Sequence, residues 1–162
     1  MNKLLIFSFL LFLSCNLAIQ EKENYDVSEI KKAVDTTLNQ WHKAAAEADF
    51  DTYFGLMDEQ AVFVGTDSSE VWRKKEFMAF SKPYFDKGKA WNFQKINRNI
   101  YTDNNFPHVV WFDETLQTWM GICRGSGVMT QNNGQWKIRH YVLSLTVPNN
   151  KIQKVMEAIA GH

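Results

Sequence analysis

Between Val27 and Ala48, apolar residues recur at steps of three and four. Val27, Ile30, Val34, Leu38, Trp41, Ala45 and Ala48 form one stripe, which predicts an amphipathic helix of about six turns. A shorter helix follows at DFDTYFGLM, with Asp49 or Asp51 as its cap. The period then changes. Ala61–Gly65 is β-branched and aromatic, so it reads as a strand. Asp67 with Glu70 three residues on resembles a capping box and predicts a helix from there to about Phe80, ended or kinked by Pro83. Four strands are expected next: Trp91–Tyr101, His108–Glu114, Trp119–Gln131 and Trp136–Val147. TDNNFP is the turn between the first two, and Asn132-Asn133-Gly134 is a hairpin signal because Asn and Gly tolerate positive φ. After Pro148, Asn150 can cap a last helix with Ile152, Val155, Met156 and Ile159 on one face.

Helices first and strands joined by short turns afterwards imply an α+β domain, an antiparallel sheet with helices on one face. One segment stands apart from this pattern. Leu4–Leu13 (LLIFSFLLFL) follows a basic start at Lys3, and its ten residues cover about 15 Å as a helix, half of what a bilayer core needs. It reads as the apolar region of a signal peptide. The chain therefore divides into an export signal (1–15), a polar tether (16–26), one folded domain (27–149) and a C-terminal helix (150–162).

Composition narrows the function classes. The 162 residues suit one domain, and 45% hydrophobic with 14% aromatic content excludes a disordered chain. Net charge is zero, and removal of the first fifteen residues leaves 17 basic against 18 acidic residues. No basic stripe exists to bind nucleic acid. The four His residues (His42, His108, His140 and His162) show no ligand spacing, and no HExxH, CxxC, Walker loop or dinucleotide fingerprint occurs. Neither a metal nor a cofactor is expected. Without Cys15, Cys123 has no intrachain partner and reads as a small core hydrophobe.

Ser14-Cys15 at the end of the apolar run resembles the lipobox of bacterial lipoproteins, which implies lipid on Cys15. Phe12 stands where that motif usually has Leu, and cleavage near Ala18 as an ordinary signal peptide is the open alternative. The expected location is outside the cytoplasm: periplasmic or membrane-anchored through that lipid alone, or secreted. Farther along, AAAEADFDTYFGLM, AVFVGTDSSEVW, VVWFDE, RGSGVM and NGQWKIRHYVLSLTVPN occur in an order and spacing that resembles the SnoaL-like branch of the nuclear transport factor 2-like superfamily, over about residues 27–149. That resemblance implies a cone: a strongly curved sheet wrapped around helices, with a pocket at the wide end and frequent homodimerisation through the sheet. Members include isomerases, cyclases, dehydratases and proteins without catalysis, so fold alone leaves the role open. The family pattern often carries His two residues before the Ser of the last strand. Here that position is Val142, and the nearest His is His140.

Parity in the last strand groups Trp136, Ile138, His140, Val142 and Ser144 on one face, expected inward, with Tyr141, Leu143 and Leu145 on the convex face as a dimerisation surface. His140 and Asp113 are then the candidate catalytic pair for cofactor-free acid–base chemistry, the carboxylate fixing the imidazole tautomer. The alternative is a His held by backbone or carboxylate with no substrate. Trp41, Tyr53, Phe63, Trp72 and Trp111 are candidates to line a pocket for a flat apolar ligand, or to form the core. Arg124 either holds an anionic ligand or acts as a strut to Asp113 or Glu114. The Gly125-Ser126-Gly127 run is expected to let the sheet bend. A small-molecule-binding domain is the leading expectation, and a dimerising interaction module without ligand is the alternative.

Overall fold

The computed structural model describes residues 25–161. Residues 1–24, which include the expected export signal, Cys15 and most of the expected tether, lie outside the described residues. Helix α1 spans Val27–Ala46; the Asp26 side chain caps it by accepting from the Ser28 and Glu29 N–H groups. Ala48, in the left-handed region at φ 54°, ends the run and turns the chain into α2, Phe50–Gly55, which Asp49 caps through the Thr52 N–H at 3.0 Å. The inward stripe of α1 is the expected one: Val34, Leu38, Trp41 and Ala45 are buried.

Six strands form one curved sheet: β1 Met57–Val64, β2 Val71–Arg73, β3 Gln94–Thr102, β4 Val109–Thr118, β5 Gly121–Asn132 and β6 Gln135–Leu145. Their spatial order is β2-β1-β6-β5-β4-β3. The α+β class is as expected, with one correction: β1 pairs with β6 in parallel, while the other neighbours are antiparallel. Consecutive short turns force antiparallel pairing, but β1 and β6 are separated by most of the domain and no turn constrains their direction. At the β5–β6 hairpin, Asn133 and Gly134 take φ of 50° and 76°, as the Asn-Gly signal requires.

Asp67–Glu70 does not open a helix. Asp67 accepts from the Ser69 N–H at 2.8 Å and its own N–H donates to the Glu70 carboxylate at 3.2 Å, so the same residue types close a turn into β2. Helix α3 starts later, at Lys74, and runs through Pro83 to Asp86. Its last turn is held by Phe85, buried edge-on against Phe50 and Trp91. Trp91 and Phe93 precede β3 instead of belonging to it, and Trp119-Met120 is a turn between β4 and β5, with Gly121 at φ 94°. Helix α4, Ile152–Ala160, leaves Ile152, Met156 and Ile159 exposed.

The core lies between the helices and the inner sheet face. It is an aromatic cluster in which Phe63 stacks on Phe77 at 4.1 Å and Trp41 on Tyr53 at 4.8 Å between ring centres. Register decides which residues reach it. Val128 pairs with His140 and Met129 with Ile138, so Arg139 is an extra residue in β6, a β-bulge. Trp136 and Ile138 point inward before the bulge; after it the inward residues are Tyr141 and Leu143. Unbroken parity placed His140, Val142 and Ser144 inside and Tyr141 and Leu143 outside. The bulge reverses both assignments.

Candidate functional site

A pocket opens where β1, β2, α3, the β4–β5 turn and β6 meet. Its cavity volume is about 170 Å³. An apolar cavity of about 150 Å³ suffices for benzene, so this one has room for a small ring system. Phe63 comes from β1, Trp72 from β2, Phe77 and Phe80 from α3, Trp91 and Phe93 from the segment before β3. Trp119 stands at the rim, 83% exposed. Several of these rings are nearly parallel: Trp72 lies over Phe80 at 4.5 Å and 25°, and Phe77 lies beside Trp91 at 5.7 Å and 23°. Rings stacked this closely leave no gap between one another, so another flat ring would pack against the exposed edge or face of the stack.

Glu70 is the sole charged side chain on that wall, where Thr66 is the other polar one. The carboxylate is held in place. Its Oε2 accepts the Asp67 N–H, and it lies so close over Gly65 that a Cβ there would collide with it. Gly65 in turn donates its N–H to the Glu70 carbonyl at 2.8 Å.

A second polar assembly ties α1 to the sheet. Glu114, on the inward side of β4 between Phe112 and Leu116, is fully buried. Its Oε1 accepts from His42 Nε2 and from the Tyr141 hydroxyl, each at 2.8 Å. Its Oε2 accepts from Arg98 Nε at 2.8 Å and Nη2 at 2.6 Å. The Arg98 Nη1 continues to Asp35 Oδ1 at 2.7 Å and Asn39 Oδ1 at 2.9 Å. Burial alone would raise the Glu114 pKa; the His42 hydrogen bond and the charges of His42 and Arg98 outweigh it and hold the group at about 2. Burial and the Glu114 carboxylate push the Tyr141 hydroxyl well up. Gly125, opposite Glu114 in β5, carries no Cβ because one would collide with the Tyr141 hydroxyl. The glycine run therefore serves close approach of Tyr141, beyond any bend.

The structure does not bring His140 and Asp113 together. Inward residues of β4 are Val110, Phe112, Glu114, Leu116 and Thr118, so Asp113 and Trp111 face outward. Asp113 accepts there from the Tyr101 hydroxyl at 2.8 Å and from Asn99. His140 is in the outward row of Val128 and Trp111, two strands away from Asp113 and in the row next to Asp113's own row of Ser126 and Val142. Arg124 is also exposed on that side, and no ion pair joins it to Asp113 or Glu114. Of the expected pocket residues, Phe63 and Trp72 line the cavity. Trp41 and Tyr53 lie one layer behind, fully buried, and Trp111 is on the opposite face. The Trp41 Nε1 and Tyr53 hydroxyl are buried without a hydrogen-bond partner of standard geometry. Burial pushes the Tyr53 pKa well up, with an opposing pull from the nearby Trp91 indole. Sequence reasoning passed over Glu70, His42, Glu114 and Arg98 as site residues. The alternation of Val110, Phe112 and Leu116 with Trp111, Asp113 and Thr115 marks Glu114 as inward, and His42 follows Leu38 by one helical step of four.

Comparison with known proteins agrees with this architecture. Residues 34–148 match the SnoaL-like domain family. Solved structures with the same fold include an NTF2-like protein of unknown function from Pseudomonas putida KT2440, with 9% identity over 79% of this chain and 94% of that one, at a TM-score of 0.63. A candidate dehydratase of the NTF2-like family from Streptomyces avermitilis shares 12% identity over 75% and 98% of the two chains, at a TM-score of 0.62. A candidate aromatic ring hydroxylase from Novosphingobium aromaticivorans shares 14% identity over 76% and 94%, also at 0.62. No curated protein matches the chain. With the match covering most of its length and the curved sheet closing on its helices, the chain belongs to the SnoaL-like domain family and has the NTF2-like fold.

Proposed function

We propose that this SnoaL-like domain binds a small, flat, apolar organic molecule in the aromatic pocket, and that it does so outside the cytoplasm. The observation that carries the binding reading is the wall itself: near-parallel Trp72 and Phe80 reach solvent over the buried Phe77, beside an exposed Trp119, where a filled core would have closed over them. Binding is favoured over acid–base catalysis because Glu70 is the single ionisable side chain on this wall, with no His, Lys, Cys or Tyr beside it. The catalytic role first assigned to His140 and Asp113 has no geometry to support it, since they occupy separate rows of the outer face.

Titration calorimetry with indole tests the reading. Saturable one-site binding is expected, weakened about tenfold or more in Trp72→Ala, as loss of a stacking ring predicts. Absence of saturable binding to the folded protein would overturn it. Export rests on residues 1–15, and the mass of the mature N-terminal peptide separates lipid on Cys15 from plain cleavage.

A second reading, self-association through the sheet, is favoured by Tyr101 and Trp111. They stack at 6.2 Å on the outer face while 42% and 45% exposed. Sedimentation at micromolar concentration should show a dimer that Trp111→Ser dissociates; a monomeric parent chain would remove this reading.

A further inference from the structure

From the placement of Glu70 we infer that the pocket selects aromatic ligands bearing a positive charge or a strong hydrogen-bond donor, an arylalkylammonium being the best fit, and disfavours aromatic carboxylates. The inference rests on the binding reading above and adds the sign of the ligand.

Three observations carry it. First, the lining includes one carboxylate and no Lys, Arg or His to offset it. Arg124, expected from the sequence to meet an anion, is on the other side of the sheet. Second, Glu70 is held and incompletely used. Its Oε2 accepts the Asp67 N–H, and among the described residues its Oε1 accepts no hydrogen bond and no ion pair involves it. Elsewhere among the described residues, Asp35, Asp58, Glu59 and Glu114 each have a cationic partner. A half-buried carboxylate without a cation beside apolar rings favours an incoming donor or positive charge and repels a negative one. Third, the rings supply the rest of a cation's environment. The negative faces of Trp72 and of the exposed Trp119 attract an ammonium group lying over them. A ligand whose ring packs in the cavity against this wall and whose amine reaches back on a two-carbon arm satisfies both requirements at once.

The test uses three molecules with one ring and one arm length: phenethylamine, 2-phenylethanol and 3-phenylpropanoate. Each is titrated calorimetrically into the folded full domain at low and at high salt. Phenethylamine is expected to bind at least about tenfold more tightly than 3-phenylpropanoate, with the alcohol between them. Because Glu70 is only half-buried, the span should narrow in high salt. In Glu70→Gln, whose amide oxygen can still accept the Asp67 N–H, the amine's advantage over the carboxylate should disappear. Equal or tighter binding of the carboxylate, or an amine preference that survives Glu70→Gln, overturns the charge selection and leaves the pocket itself intact. Failure of all three, the neutral alcohol included, overturns the binding reading on which it rests. Matching thermal midpoints for Glu70→Gln and the parent chain establish that the variant is folded.

Discussion

Two polar sites on the inner side of this fold have opposite character. At the α1–β4 contact, the Glu114 carboxylate receives four hydrogen bonds from three side chains, His42, Arg98 and Tyr141, with no exposed surface. At the pocket wall, the Glu70 carboxylate receives one hydrogen bond, from the Asp67 backbone N–H, and its other oxygen has no partner among the described residues. A buried carboxylate is stable only when its lone pairs are satisfied, and such complete satisfaction marks a structural clasp. Under the proposed binding function, a carboxylate left short of partners at the edge of an apolar pocket is where a ligand's donor would pair. Completeness of hydrogen bonding, more than residue type, separates the two.

The largest test of that contrast is removal of the clasp. Glu114→Ala leaves Arg98 buried without its main anion and should destabilise the domain by about 3–5 kcal/mol in chemical denaturation. Trp72→Ala, on the half-buried wall, should cost about 2 kcal/mol or less and act mainly on ligand affinity. If the two losses were equal, the distinction between clasp and pocket would break.

Acid sharpens it next. The Glu114 pKa is held at about 2 against an ordinary 4.5, a difference worth about 3 kcal/mol of stability. A depressed carboxyl pKa stabilises the fold above pH 4.5, and that contribution is lost as pH falls toward 2. Glu114→Gln should therefore flatten the stability profile across this window, as measured by urea midpoints at successive pH values.

Gly125→Ala follows in size. Its Cβ would meet the Tyr141 hydroxyl and the Glu114 side chain, so a loss of about 1–3 kcal/mol is expected in thermal melts. The smallest effects belong to the outer face. His140→Ala and Asp113→Asn should each change stability by no more than about 0.5 kcal/mol and leave indole binding unaltered. A marked loss of binding in either would restore the outer row as a functional site.

Much of the architecture was legible from residue types. The α1 stripe, the cap of α2 at Asp49 (one of two candidates, with Asp51) and the Asn133-Gly134 turn obey rules that act within a few residues, and the family resemblance gathered the elements into the observed fold. The site was less legible. Phe63 and Trp72 line the cavity, yet Trp41 and Tyr53, of the same residue types, are core, because an aromatic at an inward position meets either a neighbour or a cavity and only the packing decides which. Alternation in β6 was sound up to Ile138; one bulge residue, Arg139, then carried His140 outward and Tyr141 inward.

By itself the amino-acid sequence determined most of the helices and strands and the class of fold they build, though not strand β2 or the start of α3. Those outcomes follow from backbone propensity, side-chain periodicity and hydrogen bonds between near neighbours in the chain. Tertiary structure decided the parallel β1–β6 pairing, the face on which His140, Asp113 and Arg124 emerge, and the convergence of His42, Arg98 and Tyr141 on Glu114. These depend on register between strands far apart in sequence, where a single inserted residue exchanges the two faces of a sheet.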